Sequence, residues 1–379
     1  MRTVQPTLRN GLNIWNTDVL PEQEFQDRFA RVREKMAKQD LDLLFVYGKA
    51  FDGKADPGYL SHHVIRLPQG AIVAVPRQGE PALLCEGTSR DLPSVRTTTC
   101  IRDVRAGTDL ASLCATFLEE MQPSAASVAL VGARDAMPHA QYRAIRDSLA
   151  GRAIADADDF IAEFRRLKSE REQSRIREAG RVVAAMLADL PQAKAGTERL
   201  LEAQVRLSAR LKGAEDVRLL FASPQEGEWG LRAPEEQPIR AEEHILVYAA
   251  AEIDRYWAEA MRTFVATEAG LLNLENTAVQ SAYTAMLASV MPSANANAPV
   301  LAGCEAAARA GIKLAEDYGY GNGIGLSLDE APAVGTGVSG VLQPGMALSV
   351  RLFTRDQGGA LLGDTLLIHA DGSEVVTRG

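Results

Sequence analysis

A densely charged stretch near the middle of the chain, AEFRRLKSEREQSRIREAGRVVAAML (162–187), separates two halves that differ in periodicity. Its run of acids and bases, passing into an amphipathic pattern, reads as a solvated helix that links one domain to the next. In the half before it, strands and helices alternate. Pro21 opens an amphipathic helix with Phe25, Phe29, Val32 and Met36 on one face. LDLLFVYG (41–48) follows as a strand, and GAIVAVPRQGEPALLC (70–85) reads as two strands joined by a polar Gly turn. A helix over 109–121, the strand SVALVG (127–132) and a helix over 139–149 continue the alternation. The order predicts a three-layer α/β domain with a mostly buried sheet. In the half after it, a helix over 198–212 precedes strands at 244–252 and 260–268, an antiparallel pair around a short DRYWAE connection. Helices near 272–291 and 300–318 and strands at 346–353 and 360–368 complete an α+β pattern. Two domains are therefore expected, a smaller α/β domain over 1–160 and an α+β domain over 161–379, which suits a length of 379 residues.

Composition narrows the function classes. The formal net charge is -9, from 50 acidic and 41 basic residues, and binders of nucleic acid or anionic membranes are usually basic. No stretch approaches about 18 uninterrupted apolar residues, so no membrane span is expected. The first 20 residues lack a continuous apolar core, so no secretory signal is expected and the cytoplasm is the expected compartment. Only five His and four Cys are present, which argues against a His- or Cys-rich metal site. Cys85, Cys100, Cys114 and Cys304 show no C-x-x-C spacing and read as small buried hydrophobes. Gly321-Asn322-Gly323-Ile324-Gly325 superficially suggests a nucleotide loop, but it does not open a helix after a strand in a βαβ unit. There is no short repeat and no low-complexity tract.

Several phrases carry a resemblance. AMRTFVATEAG, YGYGNGIGLSLDEAPAV, LQPGMALSV and GDTLLI resemble the framework of the pita-bread fold of creatinase, aminopeptidase P, prolidase and methionine aminopeptidase. LDLLFVYGKAFDGKADPGYLSHHV and AIVAVPRQGEPALL are similar to the N-terminal domain of the creatinase and prolidase branch, and RRLKSEREQSRIREAG to the helix that opens its catalytic domain. The resemblance covers most of the chain. It implies a site for two divalent metals held by two Asp, one His and two Glu, which would activate a bridging water. At the matching positions stand Tyr248 at the end of HILVY, Glu259 three residues before Arg262, Asn322 in GNGIG, Arg351 after PGMALSV and Gly363 before Asp364. The resemblance thus implies that at most one of five ligands keeps a carboxylate and that Arg351 brings a permanent positive charge. The His of the family's H-x-x-P pattern becomes Leu231 in Leu231-Arg232-Ala233-Pro234, and a second His becomes Asp329 before Glu330. Creatinase, which works without metal, relies on that first His, so its chemistry is contradicted as well. Neither metal nor any other cofactor is expected.

The resemblance implies a cleft lined by Tyr248, Glu259, Asn322, Asp329, Glu330 and Arg351, which is not an apolar refill. Buried polar groups cost roughly 1–3 kcal/mol each unless paired. Two readings follow: a structural Glu259–Arg351 salt bridge, or a site in which Arg351 holds a substrate carboxylate while Glu259 or Asp329 moves a proton. In creatinase-like relatives the N-terminal domain reaches into the neighbouring subunit's site, and here the comparable stretch holds His62, His63 and Arg66. One of the two His is a structural residue or the imidazole for acid–base work, and Arg66 would assist with an anionic substrate. Trp229 and Arg232 lie in a loop that would wall the cleft, Trp229 serving there or in the core. The leading expectation is a metal-independent hydrolase or lyase acting on the C–N or a related bond of a small carboxylate-bearing, amino-acid-like substrate. It would be a homodimer with each N-terminal domain near the partner's cleft, with no nucleic acid or membrane partner. The rivals are a non-catalytic peptide- or protein-binding domain and an Xaa-Pro-type metallopeptidase with relocated ligands.

Overall fold

In the computed structural model, which describes residues 14–50, 53–65, 69–122, 124–192, 196–223, 229–236, 238–267 and 270–378, Pro21 takes the N-cap position of helix α1 (Glu22–Lys38). Phe25, Phe29, Val32 and Met36 form its buried face. Chain division falls between Arg165 and Arg166, giving a first unit Met1–Arg165 and a second unit Arg166–Gly379. Among the described residues no helix is long and apolar enough to cross a membrane.

In the first unit α1 is followed by β1 (Leu43–Lys49), α2 (Ala55–Ser61), β2 (Gly70–Pro76), β3 (Ala82–Glu86), α3 (Leu92–Arg96), β4 (Asp103–Gly107), α4 (Leu110–Met121), β5 (Ser127–Val131), α5 (His139–Ser148) and β6 (Ala153–Asp156). The described strands form a six-stranded sheet in the order β4-β3-β2-β1-β5-β6. Leu43, Leu44, Phe45 and Val46 are all buried, so β1 is covered on both faces, as a continuous apolar run requires. On one face Cys114, Phe117, Leu118 and Ile145 of α4 and α5 pack against Phe45, Ile72, Leu84 and Leu130. The Asp109 side chain accepts from the backbone N–H of Ala111 and Ser112 and so starts α4. Cys85 and Cys114 are buried as expected, whereas Cys100 and Cys304 are half-buried. The sequence patterns passed over α2, β4 and β6. Pro57 and Gly58 disguise α2, and β4 and β6 are edge strands of only five and four residues, too short for a clear strand pattern.

The charged central stretch is two helices rather than one. α6 (Ala162–Arg166) stops, and α7 (Glu170–Asp189) starts afresh at a capping box in which Ser169 and Glu172 satisfy each other's backbone N–H. α7 is also no mere solvated linker: Ile176, Ala179, Val183 and Met186 are buried. After it come α8 (Glu198–Leu211), β7 (Asp216–Ala222), β8 (His244–Ile253), β9 (Tyr256–Thr267), β10 (Gly270–Asn273), α9 (Thr277–Ala288), α10 (Ala298–Arg309), β11 (Gly321–Gly323), β12 (Glu330–Val334), β13 (Ala347–Thr354), β14 (Ala360–Ile368) and β15 (Ser373–Val375). The described strands form a nine-stranded sheet ordered β12-β11-β13-β14-β9-β8-β7, with β10 on β9 and β15 on β14.

One face of this sheet lies under two helix pairs. Val183, Met186, Leu201 and Val205 of α7 and α8 pack on Phe221, Val247, Ala249, Ala260 and Phe264. Tyr283, Met286, Val300 and Ala307 of α9 and α10 pack on Leu348, Val350, Leu362 and Leu366. Each fully buried Leu or Val there contributes about 1.5–3 kcal/mol. Because side chains alternate across a strand, the residues between these project from the opposite face.

Two boundaries bear on the site. The DRYWAE connection is only a two-residue turn, Asp254 (φ 48) and Arg255 (φ 74), and β9 begins at Tyr256. A left-handed non-Gly pair is costly, and a buried contact offsets it here: Arg255 donates from its backbone N–H and from Nη1 to Glu215 at 3.1 and 2.6 Å. Glu259 is thereby inside a strand, opposite Ala250. The second boundary is the end of α10 at Arg309 rather than near residue 318, with Gly311 at φ 73 just beyond. The segment that follows is irregular and passes beside β13.

Candidate functional site

Four strands place one row of residues side by side on the face opposite the helices. Tyr248 pairs with Met261, Met261 with Gly363, and Gly363 with Arg351. A second row lies two residues along the strands, where Ala250 pairs with Glu259, Thr365 with Ser349 and Ser349 with Asn322. Directly opposed side chains share a face, so register alone gathers Tyr248, Glu259, Asn322, Ser349 and Arg351. Thr365 holds the β9 backbone here, its Oγ1 accepting from Glu259 N at 2.9 Å and donating to Glu259 O at 2.8 Å.

Glu259 is 2% exposed and forms the hub. Its Oε2 accepts from the Tyr248 hydroxyl at 2.6 Å, and its Oε1 accepts from Ser349 Oγ at 2.5 Å and Arg351 Nη1 at 3.0 Å. Arg351 Nη2 donates to Asn322 Oδ1 at 2.5 Å and Nε to the Tyr318 carbonyl at 2.8 Å. Asn322 is oriented in turn, its amide donating to the carbonyls of Gly323 and Leu328, both at 2.8 Å. Arg351 retains one N–H on each Nη nitrogen without a partner among the described residues, and its side chain is 18% exposed. Burial, the Glu259 charge and the hydrogen bond to it hold the Tyr248 hydroxyl well above its usual pKa, so the phenol stays a donor. An apolar wall adjoins the cluster, in which Trp229, Leu231, Tyr248 and Tyr318 pack around Met261 and Phe353. Trp229 and Tyr318 both meet the Phe353 ring edge-on, with centroids 5.6 and 4.8 Å away.

The other residues singled out from the sequence have surroundings of their own. Glu330 forms a buried ion pair with Lys168, Oε2 to Nζ 3.0 Å, and its Oε1 accepts from Ser327 N. Gly325 makes room for that pair, since a Cβ there would stand 2.9 Å from Lys168 Cε. Asp329 is exposed. Both guanidinium ends of Arg232 donate to Glu198, at 2.6 and 3.1 Å. His62 and His63 belong to the first unit, where His62 is buried beside the Phe25 ring and His63 Nδ1 lies 2.9 Å from Thr98 Oγ1. Arg66 lies outside the described residues. Ser349, Lys168 and the Tyr318 carbonyl were not anticipated. Ser349 was within reach of the alternation rule, standing two residues before Arg351 on one strand. A backbone acceptor such as Tyr318 O leaves no mark in the residue types.

A dinuclear metal centre does not fit these residues. The only carboxylate of the cluster among the described residues and the Asn322 carbonyl are both turned onto the Arg351 guanidinium, a fixed cation. At Gly363 even a Cβ would run into the Met261 sulfur, so no ligand side chain has room there. Among the described residues no three His, Cys, Asp or Glu side chains are grouped so that they could hold a metal ion.

Residues 174–370 match metallopeptidase family M24, and residues 28–167 match the creatinase/prolidase N-terminal domain. An Xaa-Pro dipeptidase of Pyrococcus horikoshii is 22% identical over 277 residues, covering 69% of this chain and 76% of the relative. The prolidase structure from Pyrococcus horikoshii superposes with a TM-score of 0.77 at 18% identity, covering 93% of this chain and 98% of that one. The N-terminal domain of FACT complex subunit SPT16 from Cicer arietinum superposes with a TM-score of 0.69 at 16% identity, covering 95% and 97%.

Proposed function

This chain belongs to metallopeptidase family M24 and carries the creatinase/prolidase N-terminal domain, and we propose that it is an enzyme in which the Tyr248–Glu259–Arg351 cluster replaces the metal centre. Its substrate is a small carboxylate-bearing, amino-acid-like molecule, in which it cleaves or rearranges a C–N or related bond. The observation that carries this reading is the Arg351 guanidinium, held by Glu259, Asn322 and Tyr318 with an N–H on each Nη that has no partner among the described residues. A guanidinium so fixed is preorganised for a carboxylate, and a charge-assisted hydrogen bond of this kind contributes about 1.5–3 kcal/mol. The related Xaa-Pro dipeptidase acts, by its name, on dipeptides, which also carry a carboxylate near a C–N bond.

In this mechanism Arg351 fixes the substrate carboxylate, and the apolar wall of Trp229, Leu231 and Phe353 covers its body. Once the Tyr248 hydroxyl turns from Oε2 to the reacting group, Glu259 takes a proton from the carbon beside the scissile C–N bond. The C–H pair forms the new double bond as the C–N bond breaks, and Glu259 returns the proton to the leaving nitrogen. Tyr248, still protonated, donates to the negative charge that develops there. The protein acts as a cytoplasmic homodimer, the N-terminal domain of each copy lying near its partner's cleft.

The test is a panel of N-acyl amino acids, amidines and Xaa-Pro dipeptides incubated with chelator-treated protein and followed by mass spectrometry. Turnover is expected without metal and is expected to be lost in Glu259→Gln, which preserves the shape of the cluster. Turnover that depends on added manganese or cobalt would refute the reading. A second reading, a non-catalytic peptide- or protein-binding domain, is supported by the inward pairing of Glu259 and by the fold shared with a FACT complex subunit. It predicts binding without product.

A further inference from the structure

A second charged cluster lies on the helix-covered face of the same sheet, where the candidate site does not reach. Asp364 of β14 is 0% exposed. Its Oδ1 accepts from Arg262 Nη2 at 2.6 Å and Thr377 Oγ1 at 2.8 Å. Its Oδ2 accepts from the Tyr283 hydroxyl at 3.0 Å and from Arg378 Nε and Nη2 at 3.0 and 2.9 Å. Among the described residues two guanidinium groups therefore face one carboxylate, and the cluster they form carries one surplus positive charge. Tyr283 does not cancel it, because burial and the Asp364 charge keep that phenol protonated.

Beside the cluster is a cavity of about 410 Å³, within the range of small-molecule sites. Arg262, Arg378, Asn273 and Gln280 provide its polar lining and Leu187 and Leu362 part of its apolar lining, and no carboxylate lines it among the described residues. The two arginines differ. Arg262 is pinned, its Nη1 donating to the carbonyls of Met261 and Gly363. Arg378 is 48% exposed and its Nη1 donates to no described residue.

We propose that this cavity is a binding site for a small monocarboxylate with a short apolar body. The carboxylate pairs with Arg378 Nη1, the Asn273 and Gln280 amides complete its hydrogen bonds, and the apolar body lies on Leu187 and Leu362. A single surplus charge with neutral amides suits a monoanion better than a phosphate dianion. The proposal is independent of the chemistry on the opposite face.

The test is a titration of the full chain, methyl-labelled at leucine, with butyrate, its neutral isostere butyramide, and inorganic phosphate. Butyrate is expected to shift the Leu187 and Leu362 methyl signals with a Kd on the order of 1 mM, reasonable for so small a ligand. Arg378→Gln is expected to weaken that binding about tenfold, since it removes one charge-assisted contact. Gln280→Ala, a milder change, is expected to weaken it in the same direction and serves if the first variant does not fold. Arg351→Gln, on the other face of the sheet, is expected to leave these shifts unchanged. Equal shifts with butyramide would overturn the anion reading, and phosphate acting at lower concentration than butyrate would overturn the monocarboxylate. Absence of any shift would overturn the site.

Discussion

At the scale of single residues, Arg351 decides the character of the site. Glu259 is 2% exposed, and exchange of Arg351 for an apolar side chain leaves its carboxylate with Tyr248 and Ser349 as its side-chain donors among the described residues. Breaking a buried pair by removing one partner costs about 3–5 kcal/mol, whereas removing both charges costs far less. Arg351→Met is therefore expected to lower unfolding free energy in urea by that amount, and Glu259→Gln with Arg351→Met to recover most of it. Tyr248 supplies a second expectation, from its raised pKa. Above about pH 10 the unfolded chain loses the phenolic proton while the folded chain keeps it. The unfolded state then binds fewer protons, so stability is full below that pH and falls as pH rises toward the folded pKa. Tyr248→Phe is expected to lose stability less steeply than the parent between pH 10 and 12, as followed by urea midpoints. The types of these residues were legible in the sequence, and the Glu259–Arg351 salt bridge was one of the two readings open there; the structure makes that bridge. Arg351 and Glu259 are 92 positions apart, and both a salt bridge and a substrate grip were compatible with their identities.

At the scale of elements, strand register does most of the positioning. Tyr248, Met261, Gly363 and Arg351 come together because β8, β9, β14 and β13 pair in one register, and a slip of one residue would turn each to the helix side. The Asp254–Arg255 turn sets the register of β8 on β9, and Glu215 secures it through Arg255. Glu215→Ala removes the carboxylate that accepts from both the Arg255 backbone N–H and its Nη1 in a buried site and is expected to destabilise the chain by about 3–5 kcal/mol, measured by urea unfolding. Apolar periodicity located the long elements well, since α1, β1, α4, β13 and β14 bury what their patterns say they bury. It failed where a short element has no apolar run or is shaped by a contact from elsewhere. The start of β9 was read as a loop because the turn geometry depends on the distant Glu215, whereas β7 was passed over although the alternation of its buried Val217, Leu219 and Phe221 is a strand pattern.

At the scale of the whole molecule, family membership and the chemistry of the cluster pull in different directions, and assembly offers a further test of the proposed enzyme. A homodimer is expected in sedimentation at micromolar concentration, and a monomer there would count against the participation of each N-terminal domain in its partner's cleft. The sequence by itself determined the fold class, because binary patterning and the phrases AMRTF, GNGIG, PGMAL and GDTLLI are local properties carried by residue types. Through the resemblance it also raised the expectation that Tyr248, Glu259, Asn322, Arg351 and Gly363 stand where the family keeps its metal ligands. The tertiary structure alone decided what those side chains do. It turned Glu259 and Asn322 onto Arg351, filled the space at Gly363 with Met261, and drew Glu330 away to Lys168. It also set Arg262, Arg378 and Asp364 around a cavity that no local pattern announces. The physical reason is that charge pairing and excluded volume depend on distances across strands, and residues far apart in the chain acquire those distances only when the sheet forms.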